Sequence, residues 1–201
     1  MKIYIFDTEY LSWSKKQSNV IDNPRPKKQF PELIQIFIKE IFTKKKIHKL
    51  IFSKPKHYEV YPYRISKLTG IKKNFLNKNG LDFEEVYKIF TDFIPVNSLL
   101  ISNGDDYRIL DSNIKINKIK KKNKNIYLLN FYEIIKDEKI FSSFKKLNYI
   151  NTETIKKTLK LKIKSHNAMN DVNILYLCLK KIKLKKSSLV NYKGLFKLYK
   201  I

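Results

Sequence analysis

Asp7 and Glu9 stand one residue apart at the end of an apolar run, Ile3 to Phe6. In a β-strand successive side chains alternate, so the two acids leave the same face about 7 Å apart at Cβ. Oxygen ligands so placed suit a small hard cation, and paired magnesium ions in phosphoryl-transfer sites lie about 3.5–4 Å apart. A second pair, Asp105 and Asp106, follows the apolar segment Leu99 to Ser102 through Gly104. One of these can cap the next helix while the other faces a metal. In Ser165 to Leu175, SHNAMNDVNIL, Asp171 falls between Ala168 and Leu175 on an apolar helical stripe. A carboxylate at the edge of the core needs a partner, which bound cations would supply. His166 precedes that helix, where a neutral imidazole can act as general base on a water. Each feature also has a plainer reading: solvated acids at a strand end, a helix cap, a surface histidine.

The surrounding sequence supplies elements to hold these residues. Ile3 to Phe6, Leu33 to Phe42, Lys49 to Ser53, Leu99 to Ser102 and Ile126 to Phe131 read as strands. Ile65 to Ile71 reads as a short helix stopped by Gly70, and Leu81 to Ile94 as an amphipathic helix with Asp82 as N-cap. Helical spacing follows Tyr107 and recurs from Asn151, where Thr152 suggests a capping box, and from Asn167. Leu11 to Phe30 is a long polar loop with Pro24 and Pro26, whose Trp13 and Arg25 can stack on or clamp a strand. From Lys180 the chain becomes a lysine-rich appendage, in which Leu195, Phe196, Leu198 and Tyr199 can dock back. His48 and His57 stand apart from the acids and read as structural or exposed.

The 201 residues suit one domain, and 43% apolar with 13% aromatic residues exclude a disordered basic tail. Lys and Arg number 43 against 18 Asp and Glu, a net charge of +25. Dense lysine attracts polyanions by counterion release, although AT-rich coding also favours Lys, Asn and Ile. Cys178 is the sole cysteine, which excludes an intramolecular disulfide and a thiolate cluster. No apolar run fits a signal peptide or a membrane span, so a reducing, cytoplasmic setting is expected.

Taken together, Asp7-Thr8-Glu9, the acids after the fourth strand and the His166-x-x-x-x-Asp171 spacing resemble the DEDDh 3′-to-5′ exonucleases, the superfamily of RNase T and the proofreading exonucleases. Pro31 to Ile36 resembles that family's second strand. Tyr61 to Ile71, with its LTGI, resembles an element of the histone-mRNA 3′ exonuclease and KapD-like branch. The resemblance spans about Met1 to Lys181 and implies an RNase H-like α/β fold. In that fold a mixed five-stranded sheet, its second strand antiparallel, is flanked by helices. An exonuclease unit is therefore expected over 1–181, and the lysine-rich composition of 182–201 reads as a basic appendage docked on it.

The same resemblance implies that Asp7, Glu9, Asp106 and Asp171 bind two Mg²⁺ or Mn²⁺ ions while His166 deprotonates the attacking water. Asp106 rather than Asp105 is chosen by counting back from Leu110, which leaves the turn after Gly104 one residue short of the branch's pattern. Asn103 stands where relatives carry an aromatic. Thr8 and Glu9, with Leu68, Thr69 and Gly70, are implied at the terminal nucleotide. The implied partner is the 3′ end of single-stranded RNA or DNA, without a membrane. A degenerate exonuclease fold that only binds nucleic acid is the alternative.

Overall fold

The computed structural model describes residues 1–12, 30–58, 60–144, 147 and 149–201. Trp13 and Arg25 lie outside the described residues. A six-stranded sheet organises the chain, in the order β3-β2-β1-β4-β5-β6. Its strands are β1 (Ile3–Leu11), β2 (Glu32–Ile41), β3 (His48–Phe52), β4 (Leu99–Ser102), β5 (Asn125–Asn130) and β6 (Lys197–Lys200). β2 runs antiparallel to β1 and to β3, β4 runs parallel to β1 and to β5, and β6 closes the far edge antiparallel to β5. The sheet is therefore mixed with an antiparallel second strand, as the resemblance implies.

The expected five strands are six. The appendage supplies the extra one, because its Lys-Leu-Tyr-Lys segment turns Tyr199 inward and leaves Lys197, Leu198 and Lys200 exposed. Ile201 follows it into the core. Lysines on both sides hide this strand from a hydrophobicity count, and they also blunt an edge that would otherwise pair with other chains.

Strand alternation divides the core. Ile3 and Ile5 face one layer, where Val172, Leu175 and Leu179 of α7 (Ala168–Lys181) pack with α5 (Phe131–Ile135). Tyr4 and Phe6 face the other, where α3 (Phe83–Phe93) contributes Phe83, Val86 and Phe90, and α4 (Asp106–Ile116) contributes Leu110 and Ile114. Two short helices, α1 (Tyr63–Thr69) and α2 (Lys73–Asn79), flank a third cluster around Leu11 and Ile34. Gly70 ends α1 at φ 76°, a left-handed conformation that favours glycine. α6 (Thr152–Thr158) packs on α7.

Of two expected caps, one is met in position and one is corrected. Asp82 stands at the N-cap of α3 but makes no capping bond; its carboxylate instead pairs with Lys56 Nζ at 2.8 Å. At α6 the capping side chain belongs to Asn151, which accepts from Thr154 N at 2.8 Å, and Thr152 is already helical. No described helix is long and apolar enough to cross a membrane.

Candidate active site

The alternation that divides the core also sorts the residues at the end of β1. Asp7 and Glu9 continue the series of Ile3 and Ile5, and so emerge on the α7 side. Thr8 continues the series of Tyr4 and Phe6, and emerges towards α4. Asp171 lies in the first turn of α7, and one ligand oxygen from each of Asp7, Glu9 and Asp171 falls within 4.8 Å of the others. Asn167 fixes where α7 begins, since its side chain accepts from Met169 N at 3.2 Å. A bulge between Glu9 and Tyr10 shifts the β1–β2 register just beyond the acids.

Asp106 opens α4 on the other side of β1. Its Oδ1 accepts from Thr8 N at 2.9 Å and from Thr8 Oγ1 at 2.6 Å. Gly104, at φ 129°, makes the turn that delivers it. His166 is exposed and has φ 64°, a strained left-handed value for a residue with a side chain. That geometry brings its backbone N–H within 3.3 Å of both carboxylate oxygens of Asp171. Asp7, Thr8, Glu9, Gly104, Asp106, His166 and Asp171 line one cleft of about 850 Å³.

Burial and crowding raise the proton affinity of Asp7, Glu9, Asp106 and Asp171. Asp7 is held well above the usual carboxylate range, first by burial and then by the charges of Asp106, Glu9 and Asp171. Glu9 is pushed up to about 8 by burial and then by Asp171 and Asp106. Burial takes Asp171 to about 7 against the opposing His166 N–H, and takes Asp106 to about 6 against its two Thr8 hydrogen bonds. Among the described residues, none of the four carboxylates forms an ion pair. The donor set is all oxygen and short of a counter-charge, and a hard divalent cation would supply what these crowded carboxyls lack.

Other expected residues stand apart from the four buried acids. Asp105 also lines the cleft, but its side chain is 58% exposed and pairs with Arg108 at 3.0 Å. Leu68, Thr69 and Gly70 do not line the cleft. Thr69 and Gly70 border a separate hollow of about 350 Å³ with Phe52, Phe75 and Asn167. Thr69 is buried, bonding Ile65 O and Ile71 N through its hydroxyl. Tyr61 braces this segment: its hydroxyl donates to Ile71 O at 2.8 Å, and its pKa is raised by burial and then by the Glu9 charge.

Several cleft residues escape a reading of the sequence. Tyr10 and Tyr149 both line it, as do Glu153 and Ser165. Glu153 is held down to about 2 by Lys156 and Ser165. Asn103, expected only as a missing aromatic, is a buried clasp whose Nδ2 donates to Ile150 O at 3.0 Å and to Thr152 Oγ1 at 3.3 Å. No periodicity marks these contacts, since they join segments far apart in the chain.

A sequence profile of the RNase_T exonuclease family matches residues 5–179. No curated protein matches this chain by sequence. Among solved structures, cell-death related nuclease 4 (CRN-4) superposes with TM-score 0.65 at 18% identity, over 99% of this chain and 66% of its own. The nuclease domain of 3′hExo, a DEDDh family member bound to rAMP, gives TM-score 0.65 at 12% identity over 100% and 97%. E. coli exonuclease I with a 5cy-dA13 oligonucleotide gives TM-score 0.65 at 12% identity over 95% of this chain but 42% of its own. The chain therefore spans less than two thirds of CRN-4 and under half of exonuclease I. At such identities the superpositions establish the fold, which is RNase H-like. With the profile covering most of the chain, the protein belongs to the RNase_T exonuclease family.

Proposed function

We propose that this chain is a DEDDh-type 3′-to-5′ exonuclease that shortens single-stranded RNA or DNA by metal-dependent phosphodiester hydrolysis. The observation that carries this reading is the convergence of Asp7, Glu9 and Asp171 within 4.8 Å, in a cleft that also holds Asp106 and His166. Asp7, Glu9, Asp106 and Asp171 are the residues to hold two Mg²⁺ or Mn²⁺ ions. When bound, such ions supply Lewis acidity to the phosphoryl oxygens and acidify a water.

The chain's own side chains do the rest. An imidazole nitrogen of His166, exposed at the cleft, accepts the proton of the attacking water. The rigid root of Asp7 and Glu9 in β1 fixes the carboxylates before substrate arrives, so little ordering is left for the reaction itself. Thr8 and Glu9 border the terminal nucleotide, and Leu68, Thr69 and Gly70 are further candidates for contact with it from outside the cleft. The net charge of +25 favours a polyanionic substrate. The rAMP in 3′hExo and the oligonucleotide in exonuclease I support RNA and DNA as candidates. The exonuclease unit is 1–181, with 182–201 as its docked basic appendage, and the lone buried Cys178 suits a reducing cytoplasm.

The test is incubation with 5′-labelled single-stranded RNA and DNA in Mg²⁺ or Mn²⁺, against EDTA and Asp7→Ala. A ladder receding from the 3′ end, absent in both controls, is expected. Binding without shortening would leave the degenerate, non-catalytic alternative.

A further inference from the structure

Tyr149 is 46% exposed, yet it stands inside the carboxylate cleft. Its backbone neighbourhood is fixed by the Asn103 clasp on Ile150 and Thr152, and its own hydroxyl donates to Asn103 O at 3.4 Å. The ring edge rests on Gly104, where an added Cβ would meet Cε2 at 3.7 Å. Tyr149 shares the cleft with Asp7, Asp106 and Asp171, and its phenol is pushed up to about 12, by burial first and then by the charges of Asp106, Asp7 and Asp171. Tyr10, also in the cleft, feels the charges of Asp106, Glu9 and Asp7.

A large aromatic ring held in one orientation while open to solvent exposes apolar area that a planar ligand would cover. A strand whose phosphate lies at the carboxylates carries its bases within reach of such a ring. Every base has a π-face, so stacking of this kind needs no sequence. We propose that Tyr149 is the stacking platform for a nucleobase near the end of the single strand held in the cleft. This rests on the nuclease reading above. The ring does the work, and the hydroxyl serves only to set its angle.

Wild type, Tyr149→Ala and Tyr149→Phe are compared for binding, in EDTA, of single-stranded DNA carrying 2-aminopurine at the terminal, penultimate or preceding 3′ position. Shortening in Mg²⁺ is followed in parallel. Expected are an affinity about 5- to 150-fold weaker for Tyr149→Ala with loss of 2-aminopurine quenching at one position, and near wild-type behaviour for Tyr149→Phe. A Tyr149→Ala variant that binds and quenches like wild type overturns the platform while shortening by both leaves the nuclease standing. A Tyr149→Phe variant as weak as Tyr149→Ala overturns it in favour of the hydroxyl. A wild type that neither binds nor shortens any oligonucleotide overturns the nuclease reading and the platform together.

Discussion

Thr8 holds a single oxygen of Asp106 from two donors, its backbone N–H at 2.9 Å and its hydroxyl at 2.6 Å. The pair joins β1 to the start of α4 inside the protein, and hydrogen bonds to a charged group are among the stronger ones. Thr8→Val keeps the shape and the N–H but removes the hydroxyl. It should cost about 1–3 kcal/mol in urea unfolding and move the Asp106 carboxyl further up, whereas Thr8→Ser should stay close to wild type. Equal stability of all three proteins would discount the contact.

The two aspartates after Gly104 have different surroundings, buried and bonded to Thr8 for Asp106, solvent and Arg108 for Asp105. Asp106→Asn should lower the Mg²⁺-dependent shortening rate by at least about 10–100-fold. Asp105→Asn should leave it nearly unchanged. The reverse pattern would reassign the acid.

His166 combines a side-chain role with a backbone constraint. His166→Ala should reduce kcat by about 10²–10⁴-fold with oligonucleotide affinity unchanged, as removal of a general base does. Since φ is 64° there, His166→Gly should be as inactive as His166→Ala but more stable by about 1 kcal/mol. A matched loss of affinity and turnover would argue for a binding role instead.

The raised Glu9 carboxyl gives the metal-free protein a specific pH dependence. Its ordinary value of 4.5 becomes about 8 in the fold, so between these values the folded chain keeps a proton that the unfolded chain has released. Stability from this group therefore falls as pH rises through that window and is fully lost above it. In EDTA, Glu9→Gln should gain Tm over wild type progressively across the window, with little difference below it. Mg²⁺ above pH 8 should raise the Tm of wild type more than that of Glu9→Gln. A gap that stays flat with pH would contradict the crowding of carboxylates.

Much of this arrangement is legible in the residues. The alternation of Ile3, Ile5, Asp7 and Glu9 already puts both acids on one face, and the apolar stripe of α7 already puts Asp171 at the edge of the core. Sequence alone leaves Asp105 and Asp106 nearly equivalent, because only the fold shows which one meets Thr8. β6 is hidden by its lysines. Tyr149 and Asn103 carry no local signal, since their contact spans 46 residues. Asp82 stands at its helix's N-cap as expected, with its carboxylate on Lys56, whereas at the other helix Asn151, one residue before Thr152, takes the N-terminus.

β1 is paired with β2 along its whole length and with β4 over Ile3 to Ile5, so it lies inside the sheet. Backbone amides in such a strand exchange with solvent only when the sheet itself opens, while short peripheral helices such as α1 and α2 can open on their own. Asp7 and Glu9 continue that strand just past its β4 pairing, held in register by Phe37 and Gln35 of β2. Fraying confined to those helices would leave Asp7 and Glu9 in register on β1.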